Sequence, residues 1–162
     1  MDMVPPEWII GGCIGVLTLA GLYFIFAKEK YPYTARKTLL TKTELRFYKT
    51  LSQICTQYFS NLGIAMQVRL ADIINCSDQD WHKGYGPKIS AKHIDFVLFE
   101  KNTTEICLCI ELDDTSHERP DRKRRDVFVN KAMAAANVSL LRISTKNMEN
   151  KKFILEQIQK LN

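Results

Sequence analysis

Two mostly apolar runs, His93–Glu100 and Glu105–Asp113, are separated by only four residues. Aliphatic, aromatic and cysteine side chains fill both runs almost without alternation, which is typical of strands that are covered on both faces of a sheet. The short connection Lys101–Thr104 predicts that the two strands form an antiparallel hairpin. A fold built on this hairpin must therefore place other elements on both of its faces.

Helical and strand patterns surround the hairpin. Thr41 and Glu44 have the spacing of a capping box, and apolar residues then recur at helical spacing to about Ser60. The later patterns predict a strand over Met66–Ile74, a loop over Asn75–Ser90, a helix over Arg122–Asn137, a strand over Val138–Ser144 and a helix over Met148–Leu161. The order α-β-β-β-α-β-α predicts an α/β fold with a mixed sheet of about four strands, in which the last two strands are parallel.

The N-terminal part differs in composition from the rest of the chain. Trp8–Ala27 contains no charged residue, and a helix of 20 residues spans about 30 Å, the thickness of the hydrocarbon core of a bilayer. All 23 lysine and arginine residues follow this segment. The pattern predicts one transmembrane helix, with residues 1–7 outside and the C-terminal domain in the cytoplasm. The competing interpretation is a cleaved signal peptide. It is disfavoured because no basic residue precedes the apolar run and no cleavage site follows it.

Two features accompany this predicted helix. Gly11 and Gly15 form a small-xxx-small pair, which allows two membrane helices to pair, although glycine is also common in membrane helices generally. Residues 28–40 are basic and are predicted to be a juxtamembrane tether on anionic lipid, followed by an α/β domain over residues 41–162.

Three carboxylates are predicted to meet in the hairpin. Folding it about its centre places Asp95 opposite residue 110, give or take one, so we expect Asp95 beside Glu111. Asp113 follows Glu111 by two residues and points to the same face. Carboxylates this close repel one another unless a cation neutralises them, which predicts a Mg²⁺ or Mn²⁺ site. The alternative is that these acids end their strands in solvent.

Three more residues are candidates for the same site. Glu44 and Arg125 fall on the apolar arcs of their predicted helices, where a charge needs a partner, and we expect both to point towards the acids. The alternatives are a capping role for Glu44 and a snorkelling side chain for Arg125. His117, four residues after Asp113, is either a general base or phosphate donor, or a surface histidine.

The segments HIDFVLFE, CIELDDTSH and RRDVFVNKAMAAANVSLLRIS resemble a bacterial family of unknown function in the restriction-endonuclease-like superfamily, and more distantly the very-short-patch repair endonucleases. The resemblance extends over about Thr41–Ser144. It implies the α-β-β-β-α-β core of that superfamily, with Asp95 as the first metal-binding acid, Glu111 as the acid of the (D/E)-x-K element and Glu44 as the helix acid. Asp113 stands where the superfamily usually has lysine, and His117 is the candidate to replace that lysine.

A basic run follows the acids at the start of a predicted helix, and it comprises Arg119, Arg122, Lys123 and Arg124 beside Arg125. Phosphates are favoured at helix N-termini and by arginine and lysine, so DNA is the expected partner. A solvated helix start and a contact with anionic lipid are the alternatives.

Together these features predict a Mg²⁺-dependent deoxyribonuclease anchored in the bacterial inner membrane. In this interpretation Asp95, Glu111 and Asp113 hold the metal, while His117 or Arg125 assists. The alternative is a catalytically inactive domain of the same fold that tethers DNA or a protein partner at the membrane, or a structural subunit of a membrane complex. No small-molecule cofactor is expected, and the replacement of the usual lysine leaves catalysis open.

Overall fold

The computed structural model describes residue 18, residues 31–113 and residues 120–160. The chain divides into two units, Met1–Arg36 and Lys37–Asn162, and the second contains the elements that form the sheet and its helical layers. Its helices are α1 (Lys42–Tyr58), α2 (Asp78–His82), α3 (Tyr85–Ser90), α4 (Pro120–Ala135) and α5 (Lys151–Gln159). Its strands are β1 (Leu62–Arg69), β2 (His93–Glu100), β3 (Ile106–Asp113) and β4 (Leu140–Ser144), and short 3₁₀ turns over Leu70–Asp72 and Thr145–Asn147 follow β1 and β4.

The four strands form one mixed sheet in the order β1-β2-β3-β4. β1 pairs with β2 and β2 with β3 in antiparallel fashion, whereas β4 lies parallel to β3 because α4 carries the chain back along the sheet. The predicted hairpin, the mixed four-stranded sheet and the parallel pair are therefore confirmed.

Helices cover the sheet on both faces. The large core lies between the sheet and helices α1 and α5, and Phe47, Phe96 and Ile154 are completely buried in it. The small core lies on the other face, where α3 and α4 contribute, and Val97 and Val129 are buried there. The near-continuous apolar composition of β2 and β3 follows from this, since each strand supplies side chains to both cores.

Local sequence signals mark the starts of the two long helices. α1 begins where the side-chain oxygen of Thr41 accepts a hydrogen bond from the Glu44 N–H, and Glu44 Oε2 accepts one from the Thr41 N–H, so the predicted capping box is confirmed. α4 begins at Pro120, two residues before the predicted start at Arg122. The fixed φ of proline suits the first helical position, where its missing N–H costs nothing.

Two sequence predictions about the segment before β2 are wrong. The strand predicted over Met66–Ile74 is β1 over Leu62–Arg69, because Arg69 already pairs with His93, the first residue of β2, and no partner strand continues beyond it. The loop predicted over Asn75–Ser90 contains α2 and α3. The Ser77 hydroxyl caps α2 by accepting a hydrogen bond from the Asp80 N–H, a short-range signal that a mostly polar composition obscures.

The structure does not support the predicted transmembrane helix, and the prediction of a single-pass inner-membrane protein is therefore wrong. Crossing a bilayer takes about 20 consecutive apolar residues. Across the residues that the structure describes, no helix combines that length with sufficient apolar character. Among the helices of the described residues α1 is the longest, and its 17 residues carry charged side chains along the exposed face. Trp8–Ala27, including Gly11 and Gly15, lies outside the described residues except for Thr18.

The large core predicts a strong effect of truncating Phe47. Its ring is fully buried and lies 5.2 Å, centroid to centroid, from that of Phe96. Phe47→Ala should lower the free energy of unfolding by about 3–5 kcal/mol, because the vacated volume cannot refill. Chemical denaturation measures this, with Leu45→Ala on the same helix as the control. Leu45 is 44% exposed, so its truncation should cost less than about 1 kcal/mol. Equal losses for the two variants would contradict the described packing.

Candidate functional site

Asp95 and Glu111 lie side by side on the two strands of the hairpin. β2 and β3 pair Phe96 with Ile110, and the same register places Asp95 opposite Glu111. The Asp95 carboxylate is fixed in orientation because its Oδ2 accepts a hydrogen bond of 2.8 Å from the Leu112 N–H. The predicted proximity of the two acids is thus explained by the hairpin register alone.

Glu111 is buried without full compensation of its charge. It is only 4% exposed, and it is the one charged side chain in the buried set of the described residues. Its Oε1 has no hydrogen-bond partner within the described part of the chain. Burial, and then the nearby Asp95, raise the pKa of Glu111 to about 7, although Arg125 and Arg142 oppose the rise. Glu111 therefore exchanges a proton near neutral pH, where an ordinary glutamate is ionised.

Asp95 is subject to charges from both faces of the sheet. Burial is the main cause that raises its pKa, and the carboxylates of Glu44 and Asp113 raise it further. The hydrogen bond from Leu112 and the charge of Arg125 act in the opposite direction. Glu44 belongs to α1 and Arg125 to α4. Groups from the helical layers on both faces of the sheet therefore act on the acid pair.

Arg125 is the cation next to the acid pair. Its Nη2 lies 3.6 Å from Glu111 Oε1 and donates a hydrogen bond of 3.3 Å to the His93 carbonyl. The prediction that Arg125 points towards the acids is confirmed. Its side chain is 43% exposed, so Arg125 contacts both the acid pair and solvent.

Asp113 is held by a neighbouring strand rather than by the acid pair. Its Oδ1 forms an ion pair of 2.7 Å with Nη1 of Arg142, which lies opposite Glu111 in the parallel register of β3 and β4. The Nε of Arg142 also donates a hydrogen bond of 3.0 Å to Asn130 Oδ1, and its Nη2 lies 3.5 Å from Asp126 Oδ1. Among the described residues, no three His, Cys, Asp or Glu side chains are close enough to form a metal cluster. The structure therefore brings together Asp95 and Glu111, with Asp113 tied to Arg142.

Glu44 serves its helix cap and also makes a contact that the sequence did not predict. While its Oε2 closes the capping box, its Oε1 accepts a hydrogen bond of 3.1 Å from Gln67 Nε2. Gln67 lies between the pairs Met66–Phe96 and Val68–Ile94, opposite Asp95, with a φ of 53°. This left-handed backbone costs a residue with a β-carbon roughly 1–2 kcal/mol. Its only trace in the sequence was that, apart from the terminal Arg69, Gln67 is the one polar residue of β1.

The remaining predicted residues lie near or beyond the edge of the described chain. His117 and Arg119 are outside the described residues, and so is the side chain of Arg122. Lys123 and Arg124 are exposed near the start of α4. The predicted basic surface is thus described in part, on the same helix that supplies Arg125.

Comparison with known proteins identifies the family but adds no function. A family model described as a protein of unknown function, DUF2726, matches residues 36–161. No curated protein and no solved structure matches the chain. The prediction of a family of unknown function is therefore confirmed, and its placement in the restriction-endonuclease-like superfamily stays a prediction.

The buried Glu111 predicts a specific pH dependence of stability. Because its pKa is raised to about 7 in the folded chain, folding favours the protonated form. The protonated Glu111 therefore contributes to the free energy of unfolding in full below its unfolded pKa of about 4.3. This contribution, about 3 kcal/mol, is lost as the pH rises towards 7. Glu111→Gln stays neutral, so denaturation in a chelating buffer should show a smaller fall in its free energy of unfolding over this range. Glu156→Gln, at an exposed position on α5, should behave like the wild type. Parallel curves for the wild type and Glu111→Gln would contradict the burial of an ionisable Glu111.

Proposed function

The chain belongs to the DUF2726 family of proteins of unknown function, and we propose that it binds a divalent metal ion at Asp95 and Glu111 and hydrolyses phosphodiester bonds in DNA. The observation that carries the proposal is the buried Glu111 Oε1, which accepts no hydrogen bond from the described residues and lies next to a second carboxylate and 3.6 Å from a half-exposed arginine. An anionic pair of this kind is costly to keep in a protein interior unless a cation completes it.

The donor set suits magnesium. Mg²⁺ is usually held by one or two protein carboxylates, and water and substrate phosphates complete its coordination. Asp95 and Glu111 supply two carboxylates from neighbouring strands, and both pKa values are raised in their common environment. A bound cation would relieve this repulsion and would supply Lewis acidity for the activation of water and the stabilisation of charge on the phosphate.

The protein residues have separable roles in this proposal. Asp95, oriented by the Leu112 N–H, and Glu111 hold the cation. Glu111 can also accept a proton near neutral pH in the metal-free state, because its pKa is about 7. The Arg125 side chain is partly exposed beside the pair, where its guanidinium can bind a phosphate oxygen that approaches the acids.

DNA is the proposed substrate because of the charge around the acids. Lys123 and Arg124 are exposed on the helix that carries Arg125, and the chain as a whole has a formal net charge of +5. Contacts of this kind bind the phosphate backbone without regard to sequence. Apart from the two short helices α2 and α3 between β1 and β2, the element order α1-β1-β2-β3-α4-β4 agrees with the α-β-β-β-α-β core that the sequence resemblance implies, which supports a nuclease-like assignment.

A second function is favoured by one observation, the ion pair of Asp113 with Arg142. Asp113 stands at the position of the usual lysine in the resembled motif, and a carboxylate tied to an arginine cannot perform the task of a free amine. The second proposal is therefore a domain of the same fold that binds DNA or a protein partner without cleaving it.

Cleavage of DNA by the full chain tests the two proposals together. With Mg²⁺ or Mn²⁺, the wild type should cut labelled plasmid or single-stranded DNA, and a chelator should abolish cutting. Glu111→Gln should lower the rate by roughly 100-fold or more, since the site loses a metal-binding charge and a proton acceptor. Binding of DNA, measured by fluorescence anisotropy, should change only a few-fold in this variant.

Glu156→Gln is the matched control for the cleavage assay, because it makes the same chemical change at an exposed position of α5. It should cut like the wild type. Cutting that persists in chelator, or in Glu111→Gln at the wild-type rate, would contradict the proposed site. Salt-sensitive binding of DNA by a wild-type chain that does not cut would favour the second function.

A further inference from the structure

Gln67 marks a step at which β1 changes from one core to the other. Met66 packs against the large core and Val68 against the small core, although residues two apart in a regular strand share a face. The partner strand β2 makes the same change around Asp95, with Phe96 in the large core and Ile94 in the small core. The left-handed conformation of Gln67 thus coincides with the point where the acid pair meets both helical layers.

The Gln67 side chain makes a hydrogen bond to α1 that is not part of the backbone pairing of β1. Its amide donates to Glu44 Oε1 at 3.1 Å, while Glu44 Oε2 accepts from the Thr41 N–H at 2.6 Å. The helix cap accounts for the second bond but not for the first, so Gln67 fixes an oxygen that the cap leaves available. Gln67 lies opposite Asp95 in the pairing of β1 with β2, so this bond ties the Glu44 carboxylate to the strand position that faces Asp95.

We propose that Gln67 is a positioning residue that holds the Glu44 carboxylate in the outer shell of the cation bound at Asp95 and Glu111. The inference rests on the proposed function, since it assigns a role within the same metal site. Mg²⁺ gives up its water reluctantly, and outer-shell acceptors that bind such water are strongly coupled to metal affinity. A strained, non-glycine residue persists where the structure around it requires that conformation, and such residues cluster at functional sites.

Metal affinity of the full chain tests this role without reference to cleavage. Binding of Mn²⁺, measured by titration calorimetry, should be about tenfold weaker in Gln67→Met, which keeps the side-chain length but removes the amide donor. Gln67→Gly should show the same loss, and because glycine accepts a φ of 53° without strain, this variant remains informative where Gln67→Met fails to fold.

Thr41→Ala separates positioning from stability. It removes the cap hydroxyl that accepts from the Glu44 N–H, but it keeps the backbone N–H and the Gln67 bond that hold the Glu44 carboxylate. Its melting temperature should fall while its Mn²⁺ affinity stays within about twofold of the wild type.

The outcomes distinguish the two levels of the proposal. If the wild type binds Mn²⁺ and Glu111→Gln does not, but both Gln67 variants bind like the wild type, the role of Gln67 is overturned and the metal site stands. If the wild type does not bind Mn²⁺, the proposed function fails and the role of Gln67 falls with it. If Thr41→Ala weakens Mn²⁺ binding as much as the Gln67 variants do, the loss of affinity is due to lower helix stability, and the inference is overturned.

Discussion

Two carboxylates face each other on adjacent strands at a place where water hardly reaches one of them. The hairpin register makes this unavoidable, because the residues that precede Phe96 and follow Ile110 must be neighbours. In a region of low dielectric, the repulsion between Asp95 and Glu111 is larger than it would be at the surface. Three features reduce this repulsion. A backbone N–H donates a hydrogen bond to Asp95, an arginine lies beside Glu111, and the raised pKa of Glu111 lets it hold a proton near neutral pH.

The two arginines near the pair differ in what they leave accessible. Arg142 is a residue of β4, and its guanidinium contacts Asp113, Asn130 and Asp126. It therefore stabilises the junction of β3, β4 and α4. Arg125 makes weaker contacts and stays half-exposed, which leaves it able to meet an anion from solvent. This division gives the site a fixed structural cation on one side and an adaptable one on the other.

The sequence predicted those features that depend on local pattern. The capping box of Thr41 and Glu44, the hairpin register of Asp95 and Glu111 and the inward direction of Arg125 all follow from spacing and periodicity. The partner of Asp113 did not, because Arg142 reaches it only through the parallel pairing of distant strands. The role of Gln67 was equally hidden, since a left-handed residue within a strand depends on how the two cores are packed. The transmembrane prediction relied on the length of one uncharged run and on the basic residues that follow it, and no helix of the described chain supports it.

The most direct test of the metal site is crystallographic. Diffraction data from crystals of the chain grown with Mn²⁺, collected at a wavelength where manganese scatters anomalously, would locate the ion without any assumption about activity. The proposed metal site requires an anomalous peak within bonding distance of carboxylate oxygens of both Asp95 and Glu111. A peak bound elsewhere, or an acid pair that stays free of metal at millimolar Mn²⁺, would contradict it.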